Sequence, residues 1–381
     1  MHVWTLTPSY PSAGGIAEGC CVSEPLNWLA KSGVRNTLVA ARPVYRRQPD
    51  SDIPAVVGEW IRYLSLPGGV GIPFAGAFLF ARVLGRLREL HRTDGVDLLH
   101  AHGVLPCGHA AMLLSKELNI PYVVTVYGHD DLSAAQVSGR RGKWCHRLMR
   151  RIFAESRRVV CISEHVREYV LESMGRGFRT SVVYNGVDAE LFSPALESPE
   201  PTTTVLSAGN LRTLEGHDVL IRAAAPLVKE FPSLTLEVIG DGRERPHLEK
   251  LAKETGLAGR VRFVERQSPR QIADAMKRCT LFALPSQADS SGCLHVQAMS
   301  CGKTVIGCRG QGTAEIIQHG TNGFLVGPGN EKELTLAMGI LLREPQRRHN
   351  LGMAARDCIL ERFTLEQQAE SLVRIYRESV A

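Results

Sequence analysis

The chain has no apolar run of roughly 18 residues, which excludes a membrane-spanning helix. Its opening residues, MHVWTLTPSYPS, lack a charged segment followed by an apolar one, so no secretory signal peptide is expected. Ten cysteines are scattered without a Cys-x-x-Cys pair, and the neighbours Cys20 and Cys21 cannot easily bridge. Reduced thiols and a cytoplasmic setting are expected. No Gly-x-Gly-x-x-Gly follows any strand pattern, which argues against nicotinamide dinucleotide chemistry. Charge is short as well: 45 basic against 39 acidic side chains leave +6, too little to require a nucleic-acid partner. His100, His102, His109 and His129 fall in one stretch, but no carboxylate or thiolate stands at ligand spacing with the His100/His102 pair, so no metal is expected.

What is present is alternation. At 381 residues, 44% apolar and 22% charged, the chain exceeds one ordinary core and suggests two soluble α/β domains of roughly 150–200 residues each. Short apolar runs at 3–7, 37–41, 96–102, 122–127, 158–163, 204–208, 234–240, 261–264 and 281–284 read as buried parallel strands separated by helical patterns. A Pro/Ser/Thr-rich stretch at 193–204 has no periodicity and reads as a linker. The expected domains are 1–192, joined by a final helix at 363–381, and 205–362.

Two stretches combine apolar and basic residues. Phe74, Phe78, Leu79 and Phe80 precede Arg82, Arg86, Arg88 and Arg92; Arg140, Arg141, Lys143, Arg147, Arg150 and Arg151 surround Trp144 and Leu148. The pattern fits a crossover helix with a solvated face, and it equally fits a helix lying on a membrane surface.

The stretch 289–313, DSSGCLHVQAMSCGKTVIGCRGQGT, follows an apolar strand and reads as Gly/Ser loop, helix and next strand. The first amides of such a helix suit phosphate or a polyhydroxylated ligand. A Gly14-Gly15 pair lies between the first strand and a helical pattern, where a ligand could approach the backbone closely.

These motifs resemble the group 1 glycosyltransferases, the GT-B-fold retaining enzymes of family 4. Asn185-Gly186-Val187-Asp188, His217-Asp218-Val219-Leu220-Ile221, Ala298-Met299-Ser300-Cys301-Gly302-Lys303-Thr304-Val305-Ile306 and Thr321-Asn322-Gly323-Phe324-Leu325-Val326 carry the resemblance. It implies two Rossmann-like domains facing a cleft, with no metal and no cofactor. The implied function is transfer of a hexose from a UDP-, GDP- or ADP-linked sugar to a glycan or lipid-linked glycan, in the cytoplasm or at the inner face of the membrane. The alternative is a catalytically weakened or inactive homologue that binds nucleotide, glycan or a partner protein.

The same resemblance assigns residues. Candidate catalytic residues are Asp289, at the family's first Glu, with Tyr127 at the position of a family His and His129 two residues on. Candidate donor-binding residues are Gly14, Gly15, Gly209, Asn210, Arg212, Glu215, Gly292, Cys293, Leu294, Gln297 and Glu315. Asn210 and Glu215 stand where the family places an Arg and a Lys, and Gln297 stands at its second Glu. Exchanging those two cations takes the local side-chain charge from +2 to −1. Losing two charge-assisted hydrogen bonds costs about 3–6 kcal/mol, or roughly 10²–10⁴ in donor affinity or rate, unless Arg212 compensates.

Overall fold

The computed structural model describes residues 1–8, 10, 20–46, 58–67, 71–137, 139–195 and 203–381. Gly14 and Gly15, and most of the 193–204 stretch, lie outside the described residues. The chain divides into two units, Met1–Asn185 with Leu365–Ala381, and Gly186–Thr364. The change of unit falls inside the Asn-Gly-Val-Asp turn.

The first unit holds seven strands: β1 (His2–Thr7), β2 (Arg35–Pro43), β3 (Gly58–Tyr63), β4 (Leu98–His102), β5 (Tyr122–Val126), β6 (Arg158–Cys161) and β7 (Thr180–Val182). They form one sheet in the order β3-β2-β1-β4-β5-β6-β7, every pairing parallel. All residues of β1, β4 and β5 are buried, as strands covered by helices on both faces require. One face packs on Ile72–Asp94, His109–Leu118 and Arg140–Glu155 through Leu79, Val83, Leu114, Met149 and Phe153. The other packs on the final helix, Leu365–Val380, through Ala369, Leu372, Val373 and Tyr376.

The second unit repeats the plan with six strands: β8 (Thr204–Ala208), β9 (Thr235–Ile239), β10 (Val261–Val264), β11 (Leu281–Ala283), β12 (Val305–Cys308) and β13 (Phe324–Val326). Their order is β10-β9-β8-β11-β12-β13, again all parallel. Both sheets reverse direction of growth once, between β1 and β4 and between β8 and β11. A doubly wound sheet opens a crevice at the carboxyl ends of the strands where the order reverses.

Local chemistry accounts for the motifs. The helix Cys293–Ser300 ends when Gly302 turns left-handed (φ +70°), with Lys303 N–H bonded to Ala298 O and Gly302 N–H to Met299 O. This paired closure is why Cys-Gly follows the helix. Asp188 accepts the amides of Glu190 and Leu191, each at 3.0 Å, and so caps the turn after Val187. Asn322 holds its own loop, accepting from Gln318 N–H and donating to Ile316 O.

Candidate functional site

The reversal between β8 and β11 places two loops side by side. After β8 come Gly209, Asn210 and a 3-10 turn at Thr213–Glu215; after β11 come Pro285, Ser286 and Gln287. The loops interlock through backbone: Gln287 N–H donates to Leu214 O at 2.7 Å, and a Cβ on Gly216 would lie 2.3 Å from Pro285 O. The loop after β9 is as tight. A Cβ on Gly240 would sit 1.8 Å from Gly209 O, and one on Gly242 would sit 2.1 Å from Leu211 O. Glycine is required at 240 and 242 because backbone meets backbone there.

Asp289 anchors the third wall. Its Oδ1 accepts the amides of Ser291 (3.1 Å) and Gly292 (2.7 Å), and its Oδ2 accepts the Thr313 hydroxyl (2.8 Å). The same Oδ2 lies 3.3 Å from Nδ1 of the fully buried His295. Burial alone would raise this carboxyl, but His295, Gly292 and Thr313 together outweigh it and hold the pKa down at about 2. Gly292 is left-handed at φ +64°, and a Cβ there would lie 2.7 Å from Ile316 Cδ1. The Asp289 carboxylate therefore fixes the loop that starts the helix Cys293–Ser300 and ties it to Thr313.

Cys293, Leu294 and Gln297 share one face of that helix by their spacing. A Cβ built on Gly209 lies 3.8 Å from Leu294 Cδ1, so this face adjoins the β8 loop. The Gln297 Oε1 is buried and has no hydrogen-bond partner among the described residues. Ser291 Oγ contacts Cys293 Sγ at 3.1 Å. Glu315 is half-buried at the end of the 3-10 turn Gly312–Glu315, which begins with Gly312 against Ser290 O.

The charges differ from the expected tally. Asn210 accepts a hydrogen bond at 3.0 Å from Nη2 of Arg266, an exposed residue just beyond β10. The backbone amide of Arg266 approaches Asp241 Oδ2 at 3.4 Å. A guanidinium is thus delivered to Asn210 from a different strand. Arg212 is exposed beside it in sequence. Glu215 is half-buried; burial raises its carboxyl, a hydrogen bond from Ser286 opposes this, and the nearby charge of Asp289 raises it further. Arg212 and Arg266 thus share these loops with the carboxyl groups of Glu215, Asp241, Asp289 and Glu315. Arg266 was missed because its partner lies 56 positions away. A scan for cations just past each strand of a parallel sheet would have found it.

Tyr127 and His129 belong to the first unit and have different neighbours there. The Tyr127 hydroxyl lies 2.5 Å from His102 Nδ1, and its amide donates to Asp131 Oδ2 at 2.6 Å. Burial raises the Asp131 carboxyl to about 6. His100 joins Tyr376 Oη (2.7 Å) to Thr125 Oγ1 (2.8 Å), and its ring centre is 4.1 Å from that of His102. Burial lowers His100 to about 3 and His102 well below its usual value, so both rings are neutral. They line a cavity of about 20 Å³ with Thr5, Asn36, Tyr127 and Tyr376, room for about one water. His129 is exposed instead, 3.9 Å from the Tyr169 ring centre, with its Nε2 3.4 Å from that of His165. Among the described residues no group of three or more His, Cys, Asp or Glu could hold a metal ion.

Two parallel sheets of this plan, with a glycine-walled crevice on the second, define a GT-B glycosyltransferase fold, and the chain belongs to the group 1 glycosyltransferases. The glycosyl transferases group 1 profile matches residues 188–357, and the glycosyltransferase family 4 profile matches 22–191. A D-inositol 3-phosphate glycosyltransferase of Rhodococcus opacus (strain B4) is 30% identical over 322 residues, 78% of this chain and 71% of that protein. Sucrose-phosphate synthase from Thermosynechococcus elongatus superposes with a TM-score of 0.81 at 21% identity, covering 99% of this chain and 98% of that one. Anabaena HepE in complex with UDP and glucose gives 0.77 at 21% identity, covering 98% of each chain.

Proposed function

We propose that the protein is a retaining glycosyltransferase that moves a hexose from a nucleoside-diphosphate sugar to a hydroxyl of a glycan or lipid-linked glycan. The observation that carries this reading is the Arg266–Asn210 pair at the strand-order reversal of the second unit. It returns a cation to the place where charge develops on the leaving phosphate. The buried, unpartnered Gln297 Oε1 supplies an acceptor for a ribose hydroxyl, and the first amides of the helix Cys293–Ser300 complete an anion site. UDP is favoured over GDP and ADP because the Anabaena relative in fold was solved with UDP.

Transfer with retention is written without a covalent sugar–enzyme intermediate. Asp289 spends both oxygens on the loop and His295, so it positions the helix rather than attacking the sugar. The bond from the anomeric carbon to the phosphate oxygen breaks, the acceptor oxygen bonds to that carbon on the same face, and its proton passes to the departing phosphate. Arg266, with Arg212, balances the phosphate charge.

A second reading is favoured by Glu215. A carboxylate beside Asp289, where the family places a lysine, repels a diphosphate and fits a weakened homologue that binds nucleotide, glycan or a partner without turnover. The two readings separate in one experiment. The full-length protein is incubated with UDP-, GDP- and ADP-glucose and a mixture of glycan acceptors, and released nucleoside diphosphate and product anomer are measured. Release with retained configuration is expected. Binding without release from any donor transfers the conclusion to the second reading.

A further inference from the structure

The basic stretches of the first unit divide into two kinds. Arg86 pairs with Glu59, Arg88 with Glu117, and Arg151 with Glu155, each within 2.9 Å. Arg140, Arg141, Lys143 and Arg147 are exposed and have no ion pair among the described residues. They occupy the first two turns of the helix Arg140–Glu155, next to the start of Ile72–Asp94.

The apolar residues at the same place are equally bare. Phe74 and Trp144 touch each other with ring centres 5.2 Å apart, yet they remain 59% and 37% exposed. Phe78, one turn beyond Phe74, is 47% exposed. Phe74, Trp144, Arg140, Arg141, Lys143 and Arg147 surround an open hollow of about 560 Å³. Two aromatics in contact could have been buried between these helices; the buried positions go instead to Pro73, Ala75, Leu79, Gly142 and Cys145.

We infer that this face of the first unit docks on an anionic lipid bilayer. Exposed Trp and Phe suit the headgroup–acyl boundary, and a ring of unpaired Arg and Lys suits the negative surface around it. A dissolved polyanion would engage the cations but would leave Phe74 and Phe78 in water, so charge complementarity together with the apolar pair selects the bilayer. The inference stands on this patch alone and is independent of what the second unit binds.

The test is flotation of the full-length protein with vesicles of phosphatidylcholine, alone or doped with phosphatidylglycerol, with Trp fluorescence followed in parallel. Flotation with the anionic vesicles only, weakening as salt rises, is expected. The double variant Arg141→Glu with Arg147→Glu should lower partitioning by at least about 25-fold, because each cation near such a surface is worth about 1 kcal/mol, or about fivefold, and the new carboxylates add repulsion. Phe74→Ser should lower it several-fold with all charges kept. The charge reversal Arg88→Glu, at a paired site outside the hollow, should change it least. Unaltered thermal melting of the variants checks their folding. Failure to float with anionic vesicles, flotation that survives the double reversal, or tighter capture by heparin with Phe74→Ser neutral overturns the inference.

Discussion

The two units finish the same sheet plan with opposite chemistry. In the first, the ends of β4 and β5 carry His100, His102 and Tyr127, which with Tyr376 form a buried network of neutral rings. In the second, the ends of β8, β9, β10 and β11 carry glycine backbone, arginines and carboxyl groups. A parallel sheet decides where a crevice opens but not what fills it. Neutral rings satisfy one another's hydrogen bonds and cannot offset phosphate charge. Ions and close backbone can, which fits the anion chemistry proposed for the second unit.

The sharpest way to break the second half of this comparison is Gly240→Ala. The added Cβ meets Gly209 O at 1.8 Å and φ is +152°, so the loops after β8 and β9 must separate. A loss above about 4 kcal/mol is expected, seen as unfolding of the second unit at low denaturant.

Acid separates the units next. Burial lowers His2, His100, His102, His109 and His129 in the first unit, His109 to about 4, and His217 in the second, also to about 4. A histidine whose folded pKa lies below its unfolded value of about 6.5 contributes stability that is present above that pH and lost as pH falls toward the folded value. At pH of about 5 His100, His109 and His217, with folded values of about 3 to 4, each cost about 2 kcal/mol. Amide exchange should therefore show the first unit losing protection before the second as pH drops from 6.5. Simultaneous loss would contradict the contrast. Asp289 acts later, its contribution fading only as pH falls from about 4 toward 2.

Asp289→Ala sharpens the role of that residue. Four contacts disappear and the buried His295 Nδ1 loses its carboxylate neighbour, for a loss of about 3 kcal/mol. Melting should fall together with donor affinity; loss of turnover with melting unchanged would make Asp289 a direct participant. Tyr376→Phe is the mildest change. It removes the hydroxyl at His100 and should cost the first unit about 1 kcal/mol without touching nucleotide binding.

Much of this was legible beforehand. The central strands are continuous apolar runs, and β8 and β10 begin and end where the sequence suggests. β3 was not foreseen because it is an edge strand: GEWIRY mixes Glu59 and Arg62 among half-buried residues, so it lacks the signature of its neighbours. β13 is only three residues, Phe324–Val326, too short to show a period. The backbone contacts that require glycine at 216, 240 and 242 emerge only once the loops are side by side. The charges were not legible either. Substitution at Asn210 reads as loss of a cation until the sheet brings Arg266 to it, and Asp289 reads as a shorter carboxylate in place of a Glu until His295 and Thr313 are seen to hold it.

The most direct measurement is calorimetric titration of UDP into the full-length protein and into Arg266→Ala, without added metal. The account predicts binding by the parent and a loss of about 1.5–3 kcal/mol in the variant, roughly ten- to a hundredfold in Kd, with Tyr376→Phe binding as the parent does. Equal affinity in parent and Arg266→Ala would contradict it, and the returned cation would have no part in holding a diphosphate.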